Sequence, residues 1–213
     1  MITPYYTDEM IVIYHGDARE VIPAVRGNWS ACITDPVWPN PLPELDGSKD
    51  PYGLFAETIR LLADRVERLV VQLGANSDPR FLQGVPSSLP FLRVCWLRYA
   101  RPSYLGRFLN GGDVAYCFGT WPKSRKGARV LPGECTNTDA NWSNEHPCPR
   151  RKSHVSWLVS YWGQGSVIDP FAGSGTTGLA CAAQGIPCTM IDSKEKFCEM
   201  AARAATTRQA VIL

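Results

Sequence analysis

The sequence lacks both a long apolar run and a strong charge imbalance. None of its apolar runs approaches the roughly 20 residues that a membrane-spanning helix requires, so we expect no membrane segment. The 22 lysines and arginines nearly balance the 20 aspartates and glutamates, and the formal net charge is +2. This balance excludes a globally basic coat for nucleic acid, although a local basic face is compatible with it.

The cysteines lack the spacing of a disulfide framework, and the N-terminus lacks the features of a secretory signal peptide. The eight cysteines are scattered along the chain, and several lie in apolar stretches, as buried free thiols do. These are Cys32, Cys95, Cys117, Cys181 and Cys188. We therefore expect reduced cysteines and a cytoplasmic location.

A metal site is not indicated either. A zinc site could be drawn from His146, Cys148 and His154. These residues lack the second ligand pair that is typical of structural zinc sites. We therefore expect no bound metal.

Residues 167–178 predict a strand, a tight turn and the start of a helix. Val167 and Ile168 end at Asp169, small residues follow through Gly178, and a helix-like sequence continues from there. The glycines let the backbone turn sharply and approach a ligand closely, and the N–H groups at the helix start point toward that ligand. No Walker-type lysine follows the glycines, so an ATP site is not indicated.

A second apolar run ends at Asp192, about fifteen residues after the glycine-rich turn. A carboxylate at that strand tip suits hydrogen bonding to ribose hydroxyls. Close backbone contact and an acid for a ribose fit a nucleoside cofactor that carries no triphosphate.

The strand-like residues 29–34 run into an acid, a proline and an aromatic, Asp35-Pro36-Val37-Trp38. The Asp35 carboxylate and the Pro36 carbonyl can accept the two N–H groups of an exocyclic amine. Trp38 can stack on a nucleic-acid base that has been flipped out of the duplex. Taken alone, these residues are equally compatible with a turn around a buried tryptophan.

Asp17 follows an earlier β-branched run, at residues 11–15, and precedes the helix-like residues 18–25. At the carboxyl edge of an α/β sheet it could reach a cofactor. It could also cap the helix, and the local sequence alone does not separate these two interpretations.

Residues 169–177 resemble the S-adenosylmethionine (SAM) loop of DNA amino-methyltransferases, and residues 35–38 resemble the catalytic motif of that family. This motif usually reads Asp-Pro-Pro-Tyr, Asp-Pro-Pro-Trp or Ser-Pro-Pro-Tyr, so Val37 departs from the common second proline. The leading aspartate favours adenine N6 over cytosine N4 as the target. The catalytic motif precedes the SAM loop, which is the order of the permuted, beta-type members.

The segment before the predicted helix at residues 155–162 resembles a third family element, His-Pro-x-x-Lys-Pro, which lies beside the methionine end of the cofactor. The match is partial, because Arg150 stands at the lysine position and Arg151 replaces the last proline. In the permuted order the third cofactor element falls at the N-terminus, which favours the cofactor interpretation of Asp17.

The resemblance therefore implies two sets of site residues. The catalytic set is Asp35, Pro36, Val37 and Trp38. The cofactor set is Asp17, Thr34, Asp35, His146, Arg150, Asp169, Pro170, Phe171, Ala172, Gly173, Ser174, Gly175, Thr176, Thr177 and Asp192.

The expected fold is a Rossmann-like class I methyltransferase, with a mostly parallel, twisted seven-stranded sheet and helices on both faces. The chain is expected to form one catalytic domain over residues 1–213. Within it we expect a target-base half at 10–118, a short target-recognition loop at 119–145 and a SAM-binding half at 146–213. Residues 101–108 mix arginines with aromatics. They suit either a nucleic-acid clamp or an ordinary surface loop.

The predicted function is SAM-dependent methylation of adenine N6 in duplex DNA, with the target base flipped out of the stack. Cytosine N4 of DNA, or adenine of RNA, is the first alternative. A catalytically silent SAM-binding module that binds nucleic acid is another, motivated by Val37 and Arg151. Host restriction-modification and viral self-protection both remain open, as does a homodimer.

Overall fold

The strands of the chain form one mixed sheet. The computed structural model describes residues 2–39, 43, 45–124, 130–138 and 150–212. In these residues the sheet consists of β1 (Tyr6–Thr7), β2 (Ile11–His15), β3 (Trp29–Thr34), β4 (Val66–Gly74), β5 (Phe91–Leu105), β6 (Phe108–Gly119), β7 (Glu134–Thr136), β8 (Val167–Asp169) and β9 (Cys188–Asp192).

The helices alternate with the strands, as they do in α/β proteins. They are α1 (Ala18–Ala24), α2 (Pro51–Leu62), α3 (Lys152–Trp162), α4 (Thr176–Ala182) and α5 (Glu195–Ile212), with a short 3₁₀ helix at Pro79–Gly84. None of the helices in the described part of the chain is long and apolar enough to cross a membrane.

The strand order is β1-β2-β9-β8-β3-β4-β6-β5-β7. The five central strands, from β2 to β4, pair in parallel, whereas β6 runs antiparallel to both β4 and β5. From β3 the chain goes to β4 on one side, and the later strands β8 and β9 lie on the other side. Strand order therefore reverses between β3 and β8, where open α/β sheets place their ligands.

The prediction of seven strands was wrong by two, although the fold class was right. The two additional strands are β1 and β7, which have two and three residues and lie at opposite edges of the sheet. Strands this short carry too few residues for a period-two hydrophobic pattern, so the sequence gives little sign of them.

Alternate residues of the central strands enter two separate cores. Ile33 packs with residues of α3, α4 and α5 in one core, and its neighbour Cys32 packs with residues of α1 and α2 in the other. Successive side chains of a strand point to opposite faces of the sheet, so these two cores show that helices cover both faces.

β5 and β6 form a hairpin that is longer than the sequence predicts. The apolar patterns predict strands at 92–99 and 113–118, whereas most of residues 101–108 also belong to the strands and turn tightly at Gly106. β4 pairs with β6 as far as Gly74 opposite Asp113. Residues 98–112 therefore project beyond the carboxyl end of β4.

β2 is separated in the sheet from β3 to β6, the later strands of the range 10–118, by β9 and β8. β2 pairs along its whole length with β9, which is the last strand of the predicted SAM-binding half. The range 10–118 is therefore not one contiguous part of the sheet. The functional assignment of the remaining ranges stays a prediction.

Candidate functional site

The carboxyl ends of the central strands surround one cavity of about 410 Å³. It brings together the two stretches that the sequence analysis singled out, since Trp38 and Gly173 both line it. The predicted site residues that line this cavity are Asp17, Thr34, Asp35, Pro36, Val37, Trp38, Arg150, Asp169, Pro170, Phe171, Ala172, Gly173, Ser174, Thr176, Thr177 and Asp192.

Two predicted residues are not in that set. Gly175 lies beneath the loop as the N-terminal cap of α4, and His146 lies outside the described residues. The predicted target-recognition loop is also described only in part, since 125–129 and 139–149 are outside those residues.

The glycine-rich turn requires a left-handed backbone at two positions. Gly173 and Gly175 have φ of +51° and +84°, and residues with a side chain rarely adopt these values. A Cβ on Gly175 would also lie 2.7 Å from the Cβ of Ala201 on α5. With Gly178, these glycines have G-x-G-x-x-G spacing, which nucleotide-binding turns of other α/β proteins share.

Asp192 holds the glycine-rich turn from the tip of β9. Its Oδ2 accepts a hydrogen bond from the Gly173 N–H at 2.8 Å, and its Oδ1 accepts one from the Lys194 N–H at 2.9 Å. Burial raises the pKa of the Asp192 carboxyl although these N–H donors oppose the shift. A carboxylate has about four acceptor positions, so Asp192 retains capacity for ribose hydroxyls.

Asp169 joins the two strands at the point where strand order reverses. Its Oδ1 accepts hydrogen bonds from Thr34 Oγ1 at 2.7 Å and from the Phe171 N–H at 3.1 Å. The Thr177 side chain also bonds to it. Burial raises the pKa of the Asp169 carboxyl to about 6 despite these donors, so a positive ligand charge nearby would stabilise its ionised form.

Asp17 caps α1 and also lines the cavity. Its Oδ1 accepts the Arg19 N–H at 2.8 Å, as an N-cap of α1 does, and it also lines the cavity. The hydrogen bonds from the Arg19 side chain hold the pKa of the Asp17 carboxyl below its usual value. Asp17 is therefore ionised at the cavity wall at neutral pH.

Both carboxylate oxygens of Asp35 have donors from the chain itself. The Trp38 indole N–H donates to Oδ1 at 2.8 Å, and Arg150 Nε donates to Oδ2. The Arg150 guanidinium carbon lies 3.9 Å from the centroid of the Trp38 ring. Burial raises the pKa of the Asp35 carboxyl, while the Arg150 charge opposes that shift.

A second buried acid stands behind Arg150. Asp113 on β6 is 5% exposed, and its Oδ2 lies 3.7 Å from Arg150 Nη1. The same oxygen accepts the Tyr99 hydroxyl at 2.9 Å and approaches Gln72 Nε2 at 3.4 Å. No sequence pattern indicates Asp113, Tyr99 or Gln72, because each lies in an ordinary strand and only strand pairing brings them beside Arg150.

The segment after the Asp35–Trp38 motif contacts the residues that follow β9. Asp46 Oδ2 accepts the Ser193 hydroxyl at 2.8 Å, and Asp46 Oδ1 lies 3.8 Å from Lys194 Nζ. These contacts bridge residues that follow β3 and β9, so the described part of this segment closes one side of the cavity.

The described residues contain no group of three or more histidine, cysteine or acidic side chains that could hold a metal ion. His154, one of the three residues considered for zinc, is buried on α3 with Nε2 2.9 Å from the Arg98 carbonyl oxygen. The other two, His146 and Cys148, lie outside the described residues.

Residues 120–203 match the family of N6/N4 methyltransferases, described as DNA methylase. No curated protein matches the sequence. Several solved structures share the fold over most of both chains.

The M1.HpyAVI-SAM complex is 21% identical, with a TM-score of 0.70, 91% of this chain covered and 98% of that chain. The cytosine-N4-specific PvuII DNA methyltransferase is 17% identical, with a TM-score of 0.75, and the match covers 94% of this chain and 88% of that chain. A putative DNA modification methylase from Thermus thermophilus, complexed with SAM, is 19% identical, with a TM-score of 0.59, and the match covers 89% of this chain and 92% of that chain.

These likenesses confirm the predicted fold class. The match over residues 120–203 covers α3, the glycine-rich turn, α4, β9 and the first half of α5. In fold over nearly its whole length, and in sequence over this part, the chain is similar to the DNA amino-methyltransferases of the N6/N4 type, the family that its motifs predict.

Proposed function

We propose that this protein is a SAM-dependent DNA methyltransferase that transfers a methyl group to an exocyclic amine, with adenine N6 as the target. The observation that carries the proposal is the single cavity lined both by the Asp35–Trp38 motif and by the glycine-rich turn. A methyl donor and an amine held at these two strand tips would lie within one enclosed space.

The cavity fits SAM in size and in charge. Its volume of about 410 Å³ is in the range of small-molecule sites. Three acids, Asp17, Asp169 and Asp192, line the proposed cofactor side, and they complement the sulfonium and ammonium of SAM. When bound, SAM supplies a methyl group on a sulfonium, whose sulfur keeps the bonding electron pair as the methyl leaves.

The Asp35–Trp38 motif supplies acceptors and a stacking surface for the amine. The Asp35 carboxylate and the Pro36 carbonyl accept the two N–H groups, so that the nitrogen lone pair is free to form the new N–C bond. The nitrogen becomes acidic as that bond forms, and Asp35 accepts the proton it loses. Positioning of the two reactants accounts for much of the rate.

The β5–β6 hairpin suits docking of DNA beside the cavity. It projects beyond the carboxyl end of β4, the same edge at which the cavity lies. Residues 98–112 contain Arg98, Arg101 and Arg107 and no acid. Tyr104 and Phe108 are 79% and 73% exposed. Arginines for phosphates and aromatics for unstacked bases form a common nucleic-acid surface.

Cytosine N4 is the second candidate target. The cytosine-N4-specific PvuII enzyme shares the fold, and Asp35 with Pro36 could accept either amine. Adenine is preferred here because the chain has aspartate, rather than serine, as the first residue of the motif.

Methyl-labelled SAM and mixed-sequence duplex DNA test the proposal. We expect transfer to the duplex, and N6-methyldeoxyadenosine after hydrolysis of the product to nucleosides. N4-methyldeoxycytidine would replace the adenine assignment by the cytosine one. Binding of SAM without transfer to DNA or RNA would contradict the enzyme and favour a SAM-binding module.

The wider predictions remain proposals. A flipped target base, a cytoplasmic location and a restriction-modification context follow from the proposed reaction and from the sequence. A methylome of cells that express the protein would give the recognition sequence.

A further inference from the structure

Arg150 presents the same two features that a target base would present to the Asp35–Trp38 motif. Its guanidinium is planar and lies 3.9 Å from the centroid of the Trp38 ring, and its Nε–H donates to Asp35 Oδ2. An amino-substituted base is also planar, with N–H donors at its edge and a face that stacks on aromatics. The arginine therefore occupies the stacking surface and one of the acceptors that a base requires.

The Arg150 side chain fills the space beside Trp38 and Asp35 so closely that a base cannot enter beside it. The Arg150 side chain is 17% exposed, and the carboxylate to which it donates is 25% exposed. The other Asp35 oxygen already accepts the Trp38 indole N–H. Trp38 is also fixed from β4, because its ring packs so closely on Gly74 that a Cβ there would collide with it. A base could stack at this position only after the guanidinium moves.

Asp113 offers the displaced guanidinium a second partner. Its Oδ2 is 3.7 Å from Arg150 Nη1, just beyond hydrogen-bonding distance. It is buried and has only neutral donors, from Tyr99 and Gln72, as its hydrogen-bonding partners among the described contacts. A buried carboxylate is stabilised by a nearby positive charge. A short shift from Asp35 toward Asp113 would therefore keep Arg150 paired.

Provided that the chain is the DNA methyltransferase proposed above, we propose that Arg150 fills the target-base position in the free protein. An entering base takes its place at Asp35 and Trp38, and Asp113 keeps the charge of the displaced guanidinium paired. Arg150 thereby makes occupation of the catalytic acceptors conditional on a base that can both stack and donate, which assigns it a role in target specificity.

A guanidinium ion in solution tests this exchange in Arg150→Ala. The free ion should refill the vacated position, so low millimolar guanidinium chloride should raise the apparent KM for mixed-sequence duplex several-fold. The same concentration of sodium chloride should change KM much less, and guanidinium should not act on the wild type or on Arg203→Ala, a surface control on α5. Equal responses of Arg150→Ala and wild type to guanidinium would overturn the proposal.

A second measurement does not depend on methyl transfer. In Arg150→Ala the NMR signal of the Trp38 indole N–H, assigned with Trp38→Phe, should shift on addition of guanidinium and not of sodium chloride. If the wild type methylates no DNA while this shift is seen, the proposed function fails and the guanidinium-shaped site stands. A Trp38 signal that guanidinium leaves unchanged would contradict the site itself.

The unsubstituted protein provides the remaining check in case Arg150→Ala does not fold. The Arg150 Nε–H signal, assigned with Arg150→Lys, should shift or broaden when mixed-sequence duplex is added at the concentrations that support methyl transfer. A signal that stays unchanged while transfer proceeds would show that Arg150 does not leave Asp35.

Discussion

The two sides of the cavity are built by different means. On the side proposed for the cofactor, here called the cofactor side, Asp169 and Asp192 accept backbone N–H groups from Phe171 and Gly173. These bonds hold a turn that glycines permit. On the side proposed for the target base, here called the base side, Asp35, Arg150 and Asp113 come from distant parts of the chain, and Arg150 lies between the two carboxylates.

The difference bears on how each side can change. A turn held by backbone bonds has one arrangement and is ready for its ligand, because moving it would break several hydrogen bonds at once. An arginine between two carboxylates can form its ion pair with either one, so Arg150 can pair with Asp35 or with Asp113. The cofactor side is therefore preorganised, and the base side can exchange an internal ion pair for a ligand.

We expect the largest effect from Asp35→Asn, which alters the base side alone. It keeps the shape of the side chain but removes the charge that accepts the amine proton. Methyl transfer should fall about 100-fold or more, while the dissociation constant for SAM, measured by calorimetry, should stay nearly constant. Glu199→Gln, on the exposed face of α5, is the control. Equal losses of transfer and of SAM affinity would place Asp35 on the cofactor side.

We expect the next largest effect from Gly175→Ala, which disturbs the turn on the cofactor side. The new Cβ would sit on a left-handed backbone and lie 2.7 Å from the Cβ of Ala201. The substitution should therefore lower the free energy of unfolding by about 2–4 kcal/mol. Gly185→Ala has a similar φ of +67° and nothing within 4 Å of the new Cβ, so it should cost about 1 kcal/mol. Urea unfolding measures both, and equal costs would argue against the tight contact of the turn with α5.

A pH series tests the cofactor side more gently. Because burial raises the pKa of Asp169 to about 6, this group is protonated at acidic pH and cannot then pair with a cationic ligand. SAM affinity should fall as pH drops below about 6, by at most about tenfold per pH unit. Asp169→Asn should have weaker SAM binding and a flatter pH profile. A wild-type affinity that is constant between about pH 5 and pH 7 would contradict this assignment.

The same pKa has the opposite consequence for folding. A carboxyl whose pKa is higher in the folded protein binds its proton more tightly there than in the unfolded chain. Protonation of Asp169 therefore adds to the free energy of unfolding as pH falls through about 6, and this contribution is lost as pH rises. Acidification should weaken SAM binding and stabilise this part of the fold.

The smallest expected effect removes one hydrogen bond from the base side. Trp38→Phe keeps a stacking ring but loses the indole N–H that donates to Asp35 at 2.8 Å. A net contribution of about 1 kcal/mol corresponds to a several-fold loss of methyl transfer, with SAM affinity unchanged. Trp121→Phe is a control, since Trp121 is exposed and follows β6 at the opposite end of β4. A loss as large as that of Asp35→Asn would mean that the indole N–H also contacts the substrate.

The sequence predicts the cofactor side better than the base side, for a physical reason. The glycine-rich turn and the acids at strand tips are local patterns, because neighbours in sequence form the turn. Asp169 and Asp192 are recognisable from the apolar runs that they end. The same holds for Asp35, which directly follows β3.

The partners of Asp35 could not be found in this way. Asp113 lies in the middle of β6, and its place beside Arg150 depends on the pairing of β6 with β4. Arg150 was expected at the cofactor from the family element that it resembles. Its described contacts are with Asp35, Trp38 and Asp113, and a contact with the cofactor stays a prediction. Sequence patterns also missed β1 and β7, which are too short to show a period.

The pairing of β2 with β9 has a consequence for how the protein is made. Residues 11–15 are synthesised well before residues 188–192, to which they bond in parallel. On the ribosome, β2 has the two-residue β1 as its paired neighbour until β9 has also emerged. The pairing of β2 with β9 therefore forms late in synthesis. Fragments that separate these two strands would each expose an unpaired strand edge that can associate with other chains.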